Sequence, residues 1–220
     1  MSVATLRARL IQQLEPVADW SPHAAATRSD FDLNPGAARP ERTLRPAAVL
    51  IPVIAGPEGA TVLMTRRADT LASHTGQIAF PGGRLDPGET AVEAALREAT
   101  EELALDPALV EVLGVCDTYE TGTGFRVTPV VGWLRAPPET TPALAEVAEV
   151  FEVPWDFLMD LANHRQDSYD REGQPRRWYW AMPYGERYIW GVTAGIIRAL
   201  HERLYGLEAA PEAAATEDAA

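Results

Sequence analysis

The chain has 220 residues, 46% hydrophobic and 23% charged, with 32 acidic against 19 basic side chains and a formal net charge of −13. That length supports one sizeable core, and the acidic balance excludes generic binding to nucleic acid through a basic surface. Cys116 is the only cysteine, which excludes an internal disulfide and a cysteine zinc site, and all 19 basic residues are arginine, which excludes lysine chemistry.

Taken in chain order, Leu6, Leu10 and Leu14 recur every four residues and predict a short helix stopped before Pro16. Residues 21–46 are rich in Ala, Pro and Arg without a period, and are expected to run as an extended segment over the domain. The longest apolar run, residues 47–55, contains Pro52 and is far shorter than the roughly 20 residues a membrane helix needs. Residues 1–14 carry no secretory core, so neither membrane nor export is expected and the cytoplasm is the expected location. Strands are predicted at 47–54 and 61–65, and a short one at 77–80, after which Gly82 and Gly83 let the chain turn sharply. Pro87-Gly88 marks a turn, and Thr90 with Glu93 has the spacing of a capping box, so a helix should begin near Ala91. Val92, Leu96, Ala99 and Leu103 form its predicted apolar stripe, while Glu98, Glu101 and Glu102 project from another sector.

Further strands are predicted at 110–119, 125–134, 148–153 and 177–182, with Glu149 on one side of the third, and a short helix at 155–161 after Pro154. Val192, Ile196, Leu200 and Leu204 predict a last helix, ended by Gly206, and residues 208–220 an Ala-rich acidic tail without fixed structure. The expected partition is an N-terminal helix and extended segment over 1–45, one domain over 46–206, and a tail over 207–220. Helices set between runs of strands point to an α/β fold whose mixed sheet is covered on both faces.

Spacings of three and four residues place Glu98, Glu101 and Glu102 on one helix face, where a hard divalent cation finds oxygen ligands. Alone, such a stripe is more simply a solvated acidic face. The lead-in changes the balance: Gly83, five residues, Glu89, seven residues, then Arg97-Glu98-Ala99-Thr100-Glu101-Glu102. Arg97 and Glu89 read as structural, holding the loop against the first turns of the helix. Arg66 and Arg67 are planar, permanently charged partners for phosphate, or else a charged strand end.

From Phe80-Pro81-Gly82-Gly83-Arg84 to Leu105, that pattern resembles the Nudix box, the signature of enzymes that hydrolyse a nucleoside diphosphate linked to another group. Ala104 departs from it, standing where the family usually has Gly at a left-handed helix end. Upstream, Leu63-Met64-Thr65-Arg66-Arg67-Ala68, His74 and Gly76-Gln77 resemble the extension found in the coenzyme A pyrophosphatase branch, with Ala72 where that branch has Arg. Residues 146–154 and 184–191 are also similar to the branch, so the resemblance spans about 45–205. It implies the Nudix α/β/α sandwich, with Mg²⁺ or Mn²⁺ held by Glu98, Glu101 and Glu102. It also implies substrate contacts from Arg66, Arg67, His74, Gly82, Gly83 and Arg84, and a general base drawn from Glu98, Glu146 and Glu149. The implied reaction is metal-dependent hydrolysis of coenzyme A or a derivative to 4′-phosphopantetheine and adenosine 3′,5′-bisphosphate. Two alternatives stand beside it. One is a Nudix hydrolase of ADP-ribose, a dinucleotide or a nucleoside triphosphate; the other is a non-catalytic nucleotide sensor, against which the intact glutamates argue.

Overall fold

The computed structural model describes residues 1–21, 24–69, 76–170, 173 and 175–206, so the expected tail, His74 and Ala72 lie outside the described residues. Ser2 opens α1 (Val3–Gln13), its hydroxyl accepting from the Thr5 N–H at 3.1 Å. There follow β1 (Arg28–Ser29), β2 (Arg45–Gly56), β3 (Gly59–Arg67), β4 (Ile78–Ala79), β5 (Gly82–Arg84), α2 (Ala91–Leu103), β6 (Glu111–Val115) and β7 (Tyr119–Glu120). The chain continues through β8 (Phe125–Leu134), β9 (Val147–Pro154), α3 (Trp155–Met159), β10 (Arg165–Tyr169), β11 (Arg177–Tyr184), β12 (Arg187–Trp190) and α4 (Val192–Tyr205).

The large mixed sheet is organised about β2, which runs parallel to β8 from Arg45↔Phe125 to Ile54↔Leu134 and antiparallel to β3 and β5. Strand β3 also pairs with β4 and β9, and β8 with β6 and β7. Alternation along β2 feeds two cores. Ile51 and Val53 pack with α1, α3 and α4 on one face, while Ala48, Leu50 and Ile54 pack with α2 on the other. The sheet therefore lies between helical layers, as the α/β sandwich requires. Strands β10, β11 and β12 form a separate antiparallel sheet joined to the first core through Met182 and Ile189.

Several boundaries differ from the sequence expectations. Residues 21–46 are not simply extended: β1 pairs in parallel with β7, and Phe31 is buried just beyond it. The single strand expected at 110–119 is two, because β6 has a register shift between Val112 and Gly114 and the chain leaves the ladder before Tyr119. The short helix ends at Met159, a 3₁₀ turn following over Leu161–Asn163, and β11 runs to Tyr184. Strands β10 and β12 were not expected. The first is polar and the second has four residues, so neither carries an apolar alternation. Leu6, Leu10 and Leu14 lie fully within the core shared with α4.

Candidate active site

Local hydrogen bonds define both ends of α2. At its start the Thr90 hydroxyl accepts from the Glu93 N–H at 3.2 Å and the Glu93 carboxylate accepts from the Thr90 N–H at 2.8 Å, completing the capping box. At its end Ala104 takes the left-handed conformation, φ 54° and ψ 28°, which is the conformation the Gly preference there reflects. The buried face differs from the expected stripe. It runs through Ala91, Ala94, Ala95, Ala99 and Leu103, while Val92 and Leu96 are only partly covered. Small side chains let the helix lie close over β2, and this closeness draws Glu102 into the interface, where it is buried.

Arg97 ties the loop before the helix to the helix itself. Its Nε and Nη2 donate to the two Glu89 carboxylate oxygens at 2.7 and 3.1 Å, Nη2 also donates to the Arg84 carbonyl at 3.0 Å, and Nη1 donates to Glu98 and Glu101 at 3.0 and 3.3 Å. Glu89 in turn accepts from the Asp86 N–H at 2.8 Å. The bidentate pair holds Glu89 below the usual carboxylate range and raises Arg97 above the usual guanidinium range.

The glutamate face is under electrostatic load. Burial pushes Glu102 up to about 7 against the lowering charge of Arg67, with Glu98 and Glu146 raising it further. Burial also raises Glu98, opposed by its hydrogen bond from Arg97. The Gly82 N–H donates to Glu102 at 3.3 Å, and Arg67 Nη1 lies 4.0 Å from the same carboxylate. A Cβ at Gly83 would overlap the Glu98 carboxylate, and one at Gly82 would meet the Ala48 carbonyl and Val49 Cα across the sheet. The two glycines thus let β5 pass beside β2 and under the helix. Among the described residues no three His, Cys, Asp or Glu side chains are already gathered at metal-binding spacing. The fit to a divalent cation is one of chemistry and charge: hard carboxylate oxygens that burial, and after it neighbouring carboxylates, raise at Glu98 and Glu102, beside a buried Arg67 Nε that has no partner among the described residues.

The remaining candidates lie along β3 and the start of β9. Strand β9 pairs Glu149 with Arg66 but Val147 with Arg67, so Ala148 is an extra residue and the strand is bulged there. On the far side of the bulge from Glu149, the Glu146 carbonyl accepts from the Ala68 N–H at 2.8 Å, and the Glu146 charge acts on Glu98 and Glu102. Glu149 instead accepts from Arg187 and lies 3.5 Å from Arg66 Nε. Successive strand residues leave opposite faces, and the two arginines part in the same way: Arg67 toward Glu102, Arg66 toward Glu149 and Asp69. The structure therefore brings Glu98, Glu102, Arg67, Gly82 and Gly83 together, with the Glu146 charge acting on the two glutamates. It holds Glu101 at the exposed edge through Arg97 and places Arg84 at 5.4 Å over the Phe125 ring. Arg187, Tyr188 and Trp190, which line a cavity with Arg66 and Glu149, were not foreseen; their only sequence signal was the wider similarity over 184–191.

Residues 44–179 match the NUDIX domain. The chain is 43% identical over 175 residues to an uncharacterized Nudix hydrolase NudL of Pectobacterium atrosepticum, covering 79% of this chain and 90% of that protein. It is likewise 43% identical over 169 residues to NudL of Cronobacter sakazakii, covering 76% and 87%. A Nudix hydrolase from M. smegmatis, RenU, superposes with a TM-score of 0.45 at 30% identity over 51% of this chain and 71% of that one. The chain belongs to the Nudix family. Among the described residues no helix is long and apolar enough to cross a membrane.

Proposed function

We propose that this Nudix hydrolase cleaves the pyrophosphate bond of coenzyme A or a derivative, releasing 4′-phosphopantetheine and adenosine 3′,5′-bisphosphate. The observation that carries the reading is the burial of Glu102 beside the Gly82 N–H and Arg67, with the Glu98 carboxylate of the same helix against Gly83. Glu98, Glu101 and Glu102 would hold Mg²⁺ or Mn²⁺, with Glu146 adjoining. The bound cation would neutralise the diphosphate and acidify the attacking water.

The rest falls to the chain's own groups. Arg67 presents a guanidinium to a phosphoryl oxygen, its buried Nε having a donor to spare. Gly82 and Gly83 let the β5 backbone lie against β2 and the Glu98 carboxylate, which brings the Gly82 N–H beside Glu102. Water oxygen bonds to phosphorus, the bridging P–O bond breaks with its electron pair leaving on the departing phosphate, and a carboxylate takes the water's proton. Glu98 and Glu146 stand at the glutamate face for that task, and Glu149 faces away from it, paired with Arg66 and Arg187. Arg97 and Glu89 are positioning residues, because they fix the loop carrying Gly83 to the helix carrying Glu98.

The choice of coenzyme A rests on the resemblance of residues 63–83 to the coenzyme A pyrophosphatase branch. Ala72, where that branch has Arg, favours a second reading as a hydrolase of ADP-ribose or another nucleoside diphosphate derivative. Products from coenzyme A, ADP-ribose, NADH and diadenosine polyphosphates, assayed with Mg²⁺ and with Mn²⁺, separate the two. Turnover should be fastest with coenzyme A and fall by at least a hundredfold in Glu102→Gln. Equal rates in that variant would defeat the metal-face assignment, and a preference for ADP-ribose would defeat the substrate.

A further inference from the structure

The cavity on the other side of the bulge has its own chemistry. It encloses about 450 Å³, ample for one flat heterocycle, and is lined by Arg66, Glu149, Glu186, Arg187, Tyr188 and Trp190. Two guanidiniums face two carboxylates, so the cavity is balanced in charge and offers a phosphate no net attraction. It offers instead aromatic walls, carboxylate acceptors and one conspicuous donor. Arg187 gives Nη2 to Glu149 and lies over the Phe151 ring at 4.3 Å, yet its buried Nε has no partner among the described residues. A buried donor without an acceptor is costly to leave unmade, so a ligand acceptor is its natural complement.

Trp190 meets Tyr179 edge to face at 5.2 Å between ring centroids, and the Tyr188 hydroxyl donates to Asp167 at 2.7 Å, which fixes both aromatic side chains. Arg66 lies one peptide bond from Arg67, whose guanidinium approaches Glu102, so cavity and glutamate face meet at the same end of β3.

We propose that this cavity is a nucleobase subsite: it takes the amino-bearing purine of the substrate, with Tyr188 or Trp190 against the ring face, a carboxylate of Glu149 or Glu186 accepting from the exocyclic amine, and the Arg187 Nε–H donating to a ring nitrogen. The proposal rests on the reading of the protein as a nucleotide hydrolase and assigns Glu149 to recognition.

The test is a calorimetric titration of the full, metal-free protein in chelator, where no hydrolysis occurs. Adenosine and adenosine 5′-monophosphate should bind with affinities within a few-fold of each other, inosine at least tenfold more weakly, and ribose 5-phosphate and inorganic phosphate not at all. Arg187→Met should lose adenosine binding by at least tenfold. Arg187→Lys, which keeps the charge beside Glu149 but not the planar Nε donor, should lose it similarly while melting within a few degrees of the parent. Absence of adenosine binding, ribose 5-phosphate binding as well as the monophosphate, or unaltered binding in a folded Arg187→Lys protein would overturn the proposal. Hydrolysis is scored separately. A protein that binds adenosine but turns over none of the four nucleotides refutes the proposed reaction and leaves the subsite standing; one that hydrolyses coenzyme A but binds no adenosine does the reverse.

Discussion

Replacing Glu102 by Gln should abolish turnover and yet stabilise the metal-free protein. The side chain is 5% exposed and its carboxyl is pushed up from 4.5 to about 7, chiefly by burial. Between those values the folded state binds more protons than the unfolded chain, so this group's contribution to stability is full below pH 4.5 and is lost as pH rises through 7. At about 1.4 kcal/mol per pKa unit the loss amounts to roughly 3 kcal/mol above pH 7, or about 6–12 °C in Tm for a chain of this size. Gln does not ionise and escapes it, while its amide oxygen still accepts from the Gly82 N–H. Thermal melts of the two proteins in chelator should coincide near pH 4.5 and diverge progressively up to about pH 8, the variant being higher. Saturating Mn²⁺ should then raise the wild-type melting temperature and leave the variant nearly unmoved, because the burden on the carboxylates is relieved only where the cation binds. Parallel melting curves from pH 5 to 8 would refute the argument that Glu102 is held in a desolvated, repulsive site.

The other predictions concern the glycines and the helix end. Gly83→Ala should fold, because the overlapping group is the mobile end of Glu98, but should displace that carboxylate and lower kcat by at least tenfold; a wild-type kcat would remove Glu98 from the reaction. Gly82→Ala meets backbone of β2 instead and should destabilise by about 1–3 kcal/mol, read as a lower midpoint in urea. Ala104→Gly should stabilise by about 0.5–1 kcal/mol, since Gly takes φ 54° without steric cost, and should leave kcat unchanged; a lower Tm would count against strain at that cap.

Much of the local architecture was legible because it is written in short-range contacts. The Thr90 and Glu93 cap follows from spacing alone, the left-handed end at Ala104 follows from the resemblance that puts Gly there, and Arg97, whose partner the sequence left open between Glu89 and Glu101, bonds to both. The apolar stripe was misjudged for the opposite reason. Which sector of α2 is buried depends on how closely it approaches β2, and the alanines permit an approach that a rule favouring large side chains does not foresee.

The sequence by itself determined the Nudix family, the limits of the helix bearing Glu98, Glu101 and Glu102, and the loop that precedes it, since each follows from residue identity at fixed spacing. Only the tertiary structure decided which charged groups share a site. Arg66 and Arg67 adjoin in sequence and diverge in space; Glu146 and Glu149 lie three apart and fall on either side of the bulge at Ala148. Side chains alternate across a pleated strand, so β3 sends Arg66 and Arg67 to opposite faces; the register of β9 on β3, set by pairing between distant segments, puts Glu149 across from Arg66 at the cavity beside Arg187, while Glu146 precedes the strand, which begins at Val147.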